Sequence, residues 1–139
     1  MRQYFRVLCV RMFVKRKELK MREDEVICSY ADGILMARIN AEIDHHAAKR
    51  IREKIDKELF VYRPTRLSLD FSGVSFMDSS GIAIILGRVE SARSVGATVE
   101  LTGLSARIMR LLSLSGIDRV RGLSVTGHTS NRMEGSVLK

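Results

Sequence analysis

From Glu25 to Leu123, short apolar runs alternate with longer stretches in which apolar residues recur every three or four positions. Strands separated by helices pair in parallel, because the chain has to cross back over the sheet before each new strand. EVICSY (25–30) and ILMARI (34–39) read as the first two strands. The Asp32-Gly33 pair between them marks an antiparallel hairpin, since glycine accepts the positive φ of a tight turn. RLSLDF (66–71), ATVELTG (97–103) and IDRVRGL (117–123) are expected as the later strands. The first helix is predicted over 44–60, capped by Asp44, with Ala47 or Ala48, Ile51, Ile55 and Leu59 on one face and a charged opposite face. The second, over 80–95, is expected to bury Ile82, Ile85 or Leu86, Val89 and Ala92. Gly87 would admit a close neighbour and Gly96 would end the helix. The third starts after Ser105, turns Ile108, Leu111 and Leu112 inward, and stops at Gly116. Pro64, the only proline, breaks the chain in the loop YRPT. The order is β-β-α-β-α-β-α-β, an α/β fold with a mixed sheet.

The net charge of +8 is concentrated at one end. Residues 1–20 carry seven basic side chains against one acid, whereas the remainder holds 17 basic against 15 acidic, only +2. The body therefore lacks the basic surface that nucleic acid selects. Residues 1–24 are expected to form a basic extension outside the fold, residues 25–122 the domain, and 123–139 a polar, flexible tail. Met21 stands just ahead of the folded pattern and is a candidate start residue. Arg6 and Arg11 interrupt the apolar character of YFRVLCVRMFV, unlike a secretory signal. No run approaches the ~20 apolar residues of a membrane span. Cys9 and Cys28 have neither metal-ligand spacing nor a disulfide framework, which suits reduced thiols in a cytoplasmic protein.

One stretch stands out chemically. In FMDSSGIAIIL, Asp78, Ser79 and Ser80 precede Gly81 and a helical apolar run. The first turn of a helix has unpaired N–H donors and a partial positive charge, which Asp78 or Ser79 can cap. Capping accounts for one of the three polar residues. A nucleophilic serine would need a base. His45 and His46 are the only candidates in the body, and no GxSxG elbow surrounds either serine, so no catalytic residue is assigned. Adjacent histidines on a helix point apart, and no metal site is assigned to them either. The remaining reading is a regulated phosphoacceptor: phosphate adds close to two negative charges at a position the helix dipole tolerates, while a docked partner would have to confront them. No Gly-rich phosphate loop supports a nucleotide-binding module, and no cofactor is implied.

VSFMDSSGIAIILGR, SARSVGATVEL and LSARIMRLLSLSGIDRV, together with INAEIDHHAAKRIREKID, resemble the STAS-domain anti-sigma factor antagonists of spore-forming Gram-positive bacteria. The resemblance spans about 25–122 and is strongest to the branch acting on the anti-sigma F factor. The stress-response branch is the nearest rival. It implies a STAS-type fold, with a four- to five-stranded sheet and helices packed mainly on one side. It also implies that the unphosphorylated chain binds an anti-sigma factor that is a serine kinase, releasing the sigma factor. The kinase would switch the antagonist off by phosphorylating the second serine of the motif, here Ser80, and a serine phosphatase would restore it. Asp78, Ser79 and Gly81 fall on the flanking motif positions. Asp44, His45 and His46 are further candidate partner contacts, because loops after parallel strands gather at one sheet edge. A STAS subunit of a membrane transport assembly is the alternative from another class, which binding of lipid vesicles through residues 1–20 would favour.

Overall fold

A computed structural model describes residues 25–126 of the 139-residue chain. The basic extension (1–24), Cys9, and the tail from residue 127 lie outside the described residues. The elements are β1 (Val26–Ala31), β2 (Ile34–Ile39), α1 (His45–Tyr62), β3 (Arg66–Asp70), α2 (Ser79–Ser94), β4 (Thr98–Thr102), α3 (Ala106–Ser115) and β5 (Leu123–Val125). The strands form one sheet in the order β1-β2-β3-β4-β5, with β1 antiparallel to β2 and every later pair parallel. The hairpin turns at Asp32 and Gly33, both at positive φ (51° and 80°), as a two-residue turn requires.

Strand alternation sends Leu35, Ala37, Ile39, Leu67, Leu69 and Leu101 to one face, where none is exposed. The register aligns them across strands: Leu35 opposite Leu67 and Val99, Ala37 opposite Leu69 and Leu101. Helix α1 closes this core with Ala47, Ile51, Ile55 and Leu59, the predicted stripe. Helix α3 adds Ile108 and Leu112, whereas Leu111, also expected to turn inward, is only partly buried. Ile27 and Met36 stand on the other sheet face, half exposed.

Three readings of the sequence need correction. The strand expected over 117–123 is instead a short 3-10 helix, Ile117–Arg119, and β5 begins at Leu123, past the expected domain boundary at 122. Gly116 at positive φ and buried Ile117 hold that turn, and three residues of IDRVRGL intervene before the chain can pair with β4. In α2, Ile85, Val89 and Ala92 are buried as expected, but Ile82 is only partly buried and Leu86 is exposed, so the stripe runs Gly81, Ile84, Ile85, Arg88, Val89 and Ala92. Gly87 meets no neighbour; a side chain there would enter open space. The glycine that does allow close packing is Gly81, where a Cβ would collide with Met77.

The α1–α2 seam contains an unexpected charge. Arg88 is only 3% exposed, and its Nε lies 2.9 Å from Asp56 Oδ1. The two atoms are off a hydrogen-bond axis, and Arg88 Nη1 is buried without a partner among the described residues. Burial pulls the Arg88 pKa down, and the negative charge of Asp56 opposes that shift. Removing one member of such a pair is worse than removing both, because the survivor keeps its desolvation cost. Asp56→Ala is therefore expected to destabilise by about 2 kcal/mol, less than for a fully buried pair because Asp56 is partly solvated, whereas Arg88→Met, which leaves behind only the partly exposed Asp56 carboxylate, should cost less. Thermal unfolding of the two variants checks the order; an equal loss in both would show that packing, not charge, dominates this seam.

Candidate functional site

The loops leaving the C-terminal ends of β2, β3 and β4 gather at one edge of the sheet. There the segment before α1 and the segment before α2 lie side by side. Ile43 and Met77 form a parallel bridge. The Ile43 N–H donates to the Phe76 carbonyl (2.8 Å), and the Asp78 N–H donates to the Ile43 carbonyl (3.2 Å). These two bonds set the N-termini of α1 and α2 next to each other, bringing Asp44 and Asp78 to the same edge.

Both aspartates cap their helices. Asp44 Oδ1 accepts from the Ala47 N–H at 2.8 Å, and Asp78 Oδ1 accepts from the Ser80 N–H at 2.7 Å. The Gly81 N–H donates to the Asp78 carbonyl at 2.9 Å. The bond from Ala47 holds the Asp44 carboxyl below its usual range, and the neighbouring His46 acts in the same direction. Since the folded pKa is depressed, the stabilisation from this cap is present above the ordinary carboxylate range and is lost as pH falls through the lowered value.

With Asp78 committed to the cap, the two serines are left as side chains on the first turn. Ser79 is exposed and Ser80 half-buried. Ser80 contributes its backbone N–H to the cap, so its position is fixed by the turn while its hydroxyl is not needed to hold it. Gly81 follows, buried under Met77. His45 and His46 are exposed on the first turn of α1, their rings edge to face at 5.9 Å. Among the described residues, no group of three or more His, Cys, Asp or Glu side chains is placed to hold a metal ion, and no helix is long and apolar enough to cross a membrane. The arrangement offers a hydroxyl at a helix N-terminus, where an added phosphate would meet the positive end of the dipole.

Sequence reasoning missed the apolar half of this edge. Phe76 is 45% exposed although it is aromatic, and Met77, directly before the cap, packs on α2 through Gly81. The pairing of Phe and Met with the following acidic cap was the available signal. Its meaning depended on Ile43, 34 residues earlier, with which Met77 bridges.

The sequence profile of the STAS domain family matches residues 29–130. Over 102 residues the chain is 33% identical to the anti-sigma F factor antagonist of Lysinibacillus sphaericus, an alignment covering 64% of this chain and 87% of that protein. It is 30% identical over 107 residues to the anti-sigma-B factor antagonist of Listeria monocytogenes, covering 74% and 82% respectively. The solved structure of the anti-sigma factor antagonist SpoIIAA in its unphosphorylated form superposes with a TM-score of 0.57 at 26% identity, covering 79% of this chain and 98% of that one. The phosphorylated form of Bacillus SpoIIAA gives 0.56 at 25% identity, covering 78% and 97%.

Proposed function

This chain belongs to the STAS domain family, and on that premise we propose that it is an anti-sigma factor antagonist switched by phosphorylation of Ser80. In the unphosphorylated form it binds an anti-sigma factor that is also a serine kinase, and so releases a sigma factor. Phosphate on Ser80 ends that binding, and a serine phosphatase renews it. The chain is thus a substrate and a binding partner rather than an enzyme, and it acts in the cytoplasm. The observation that carries the reading is the capped, solvent-facing start of α2, where Asp78 occupies the cap and leaves a serine hydroxyl free for modification.

Two further facts support it. SpoIIAA, which shares this fold, exists in phosphorylated and unphosphorylated forms. The start of α2 also has a second helix N-terminus beside it, through the Ile43–Met77 bridge, so a docked protein would cover both. Asp44, His45 and His46 belong to that covered surface in our reading, together with Asp78, Ser79 and Gly81. We assign the chain to the sigma F sporulation branch, on the similarity of its cap motifs and the 33% identity to an anti-sigma F factor antagonist.

Incubation with the anti-sigma kinase of the source organism and ATP, followed by mass spectrometry of the peptide holding both serines, tests the assignment. A single phosphate on Ser80, absent from Ser80→Ala, is the expected result. Phosphate on Ser79, the more exposed hydroxyl, would move the acceptor by one residue, and no phosphate on either would overturn the switch. Specific capture of an anti-sigma B kinase in preference to an anti-sigma F kinase would place the chain in the stress-response branch.

A further inference from the structure

Helix α3 carries two apolar stripes where its own core needs one. Ile108 and Leu112 point inward and are buried. Arg107, Arg110, Leu111 and Leu114 recur at i, i+3, i+4 and i+7, which puts them together on a second face. That face lines a groove of about 250 Å³ whose opposite wall is the segment Ser75-Phe76-Met77. Leu114 is 80% exposed and Phe76 45% exposed, so the rim of the groove is apolar surface that the folded domain leaves in water. Isolated exposed apolar residues are ordinary, but two flanking an apolar groove mark a surface that is covered by something else.

We infer that this groove is a docking site for an acidic amphipathic helix of the anti-sigma kinase, a proposal that rests on the antagonist reading above. Two features choose that occupant. The groove's charged lining consists of the Arg107 and Arg110 guanidinia, with no carboxylate among the lining residues, so an occupant gains from acidic flanks and is penalised for basic ones. The i, i+3, i+4, i+7 pattern on α3 is the pattern one helix presents to another, apolar anchors along a seam with charges beside it.

The groove is also continuous with the modification site. Met77 lines it and at the same time packs on Gly81, in the first turn of α2, while Asp78 follows in the chain. An occupant seated against Met77 therefore lies against the turn that holds Ser80. The contact spans about two helical turns of α3, roughly 10 Å. It adds affinity to the interface around Ser80 instead of replacing it.

The test measures binding of the full-length protein to the purified kinase of the source organism, by calorimetry, with phosphorylation followed in parallel. Leu114→Glu and the double change Arg107→Glu with Arg110→Glu are each expected to weaken Kd by about tenfold or more. Both alter exposed side chains, so the melting temperature should stay near that of the wild type. Lys57→Glu, an exposed charge reversal on α1, controls for net charge and should bind within about twofold of the wild type. Raising the salt concentration should weaken the wild type more than the double variant. If the wild type binds and both groove variants bind equally well, the groove proposal is overturned and the antagonist reading stands. If the wild type is neither bound nor phosphorylated, the antagonist reading fails and the groove proposal with it. If light scattering shows a dimer that Leu114→Glu abolishes while kinase binding is unchanged, the groove belongs to a second copy and the kinase is not its occupant.

Discussion

Ser80→Asp is expected to weaken binding to the anti-sigma kinase by about a hundredfold, close to 2.7 kcal/mol, while leaving the melting temperature within a few degrees of the wild type. The two effects separate because the charge has different surroundings in the two states. In the free protein, residue 80 lies in the first turn of α2, where the helix dipole favours an anion by roughly 0.3–1 kcal/mol. Its backbone N–H already donates to Asp78, so the cap does not depend on the side chain. In a complex, the same anion would be taken out of water with no partner in place, and an unpaired charge in an interface costs several kcal/mol. Phosphate, with nearly twice the charge, should act more strongly than aspartate. Ser80→Ala should bind the kinase normally but not be released on addition of ATP. Parallel collapse of binding and thermal stability in Ser80→Asp would make Ser80 a structural residue, and ATP-driven release of Ser80→Ala would place the switch elsewhere.

Gly103→Ala should cost about 2–4 kcal/mol. Gly103 sits at φ +66°, where an L side chain is disfavoured by about 1–2 kcal/mol. Its added Cβ would also lie 2.6 Å from Asp70 Oδ1 and 2.8 Å from the Ser72 backbone nitrogen. Those two atoms are already joined by a 2.9 Å hydrogen bond that shapes the exit from β3. The methyl therefore strains the β4 exit and presses on the loop that leads towards Asp78. Gly96→Ala separates the two contributions, since Gly96 has a similar φ of +78° but nothing within 4 Å of its Cβ. It should lose only the conformational part, about 1–2 kcal/mol. At roughly 4–8 °C per kcal/mol, Gly103→Ala should melt at least about 8 °C lower than the wild type and clearly below Gly96→Ala. Equal melting points for the two variants would mean that the Asp70–Ser72 turn yields to the methyl at no cost.

The elements of this fold were largely legible in the sequence, because each is set by residues close together in the chain. Asp32-Gly33 dictates its hairpin by backbone sterics alone. Asp44 and Ser105 cap the helices they were expected to cap, and Asp78 does so where Asp78 or Ser79 was expected, through hydrogen bonds spanning two or three residues. The stripe Ala47, Ile51, Ile55 and Leu59 follows from the helical period. The stripe of α2 was harder: SSGIAIILGRVESARS is apolar on more than one side, so periodicity left Ile85 or Leu86 open and did not point to Ile84. Arg88 was illegible for a related reason. An arginine in a helix reads as solvated, and only Asp56 on the neighbouring helix makes its burial tolerable.

The same division runs through the candidate site. The sequence by itself determined the strand and helix order, the capped DSSG turn, and the presence of a hydroxyl at a helix start. Periodicity and capping are local, and they survive without knowledge of the rest of the chain. Tertiary structure alone decided that Met77 pairs with Ile43 and sets two helix N-termini at one edge. It also decided that the second face of α3 turns its two leucines and two arginines towards Phe76. Both contacts depend on how sheet and helices stack. A local pattern can state that a serine begins a helix; what surrounds that serine is fixed by the packing of segments distant in the chain.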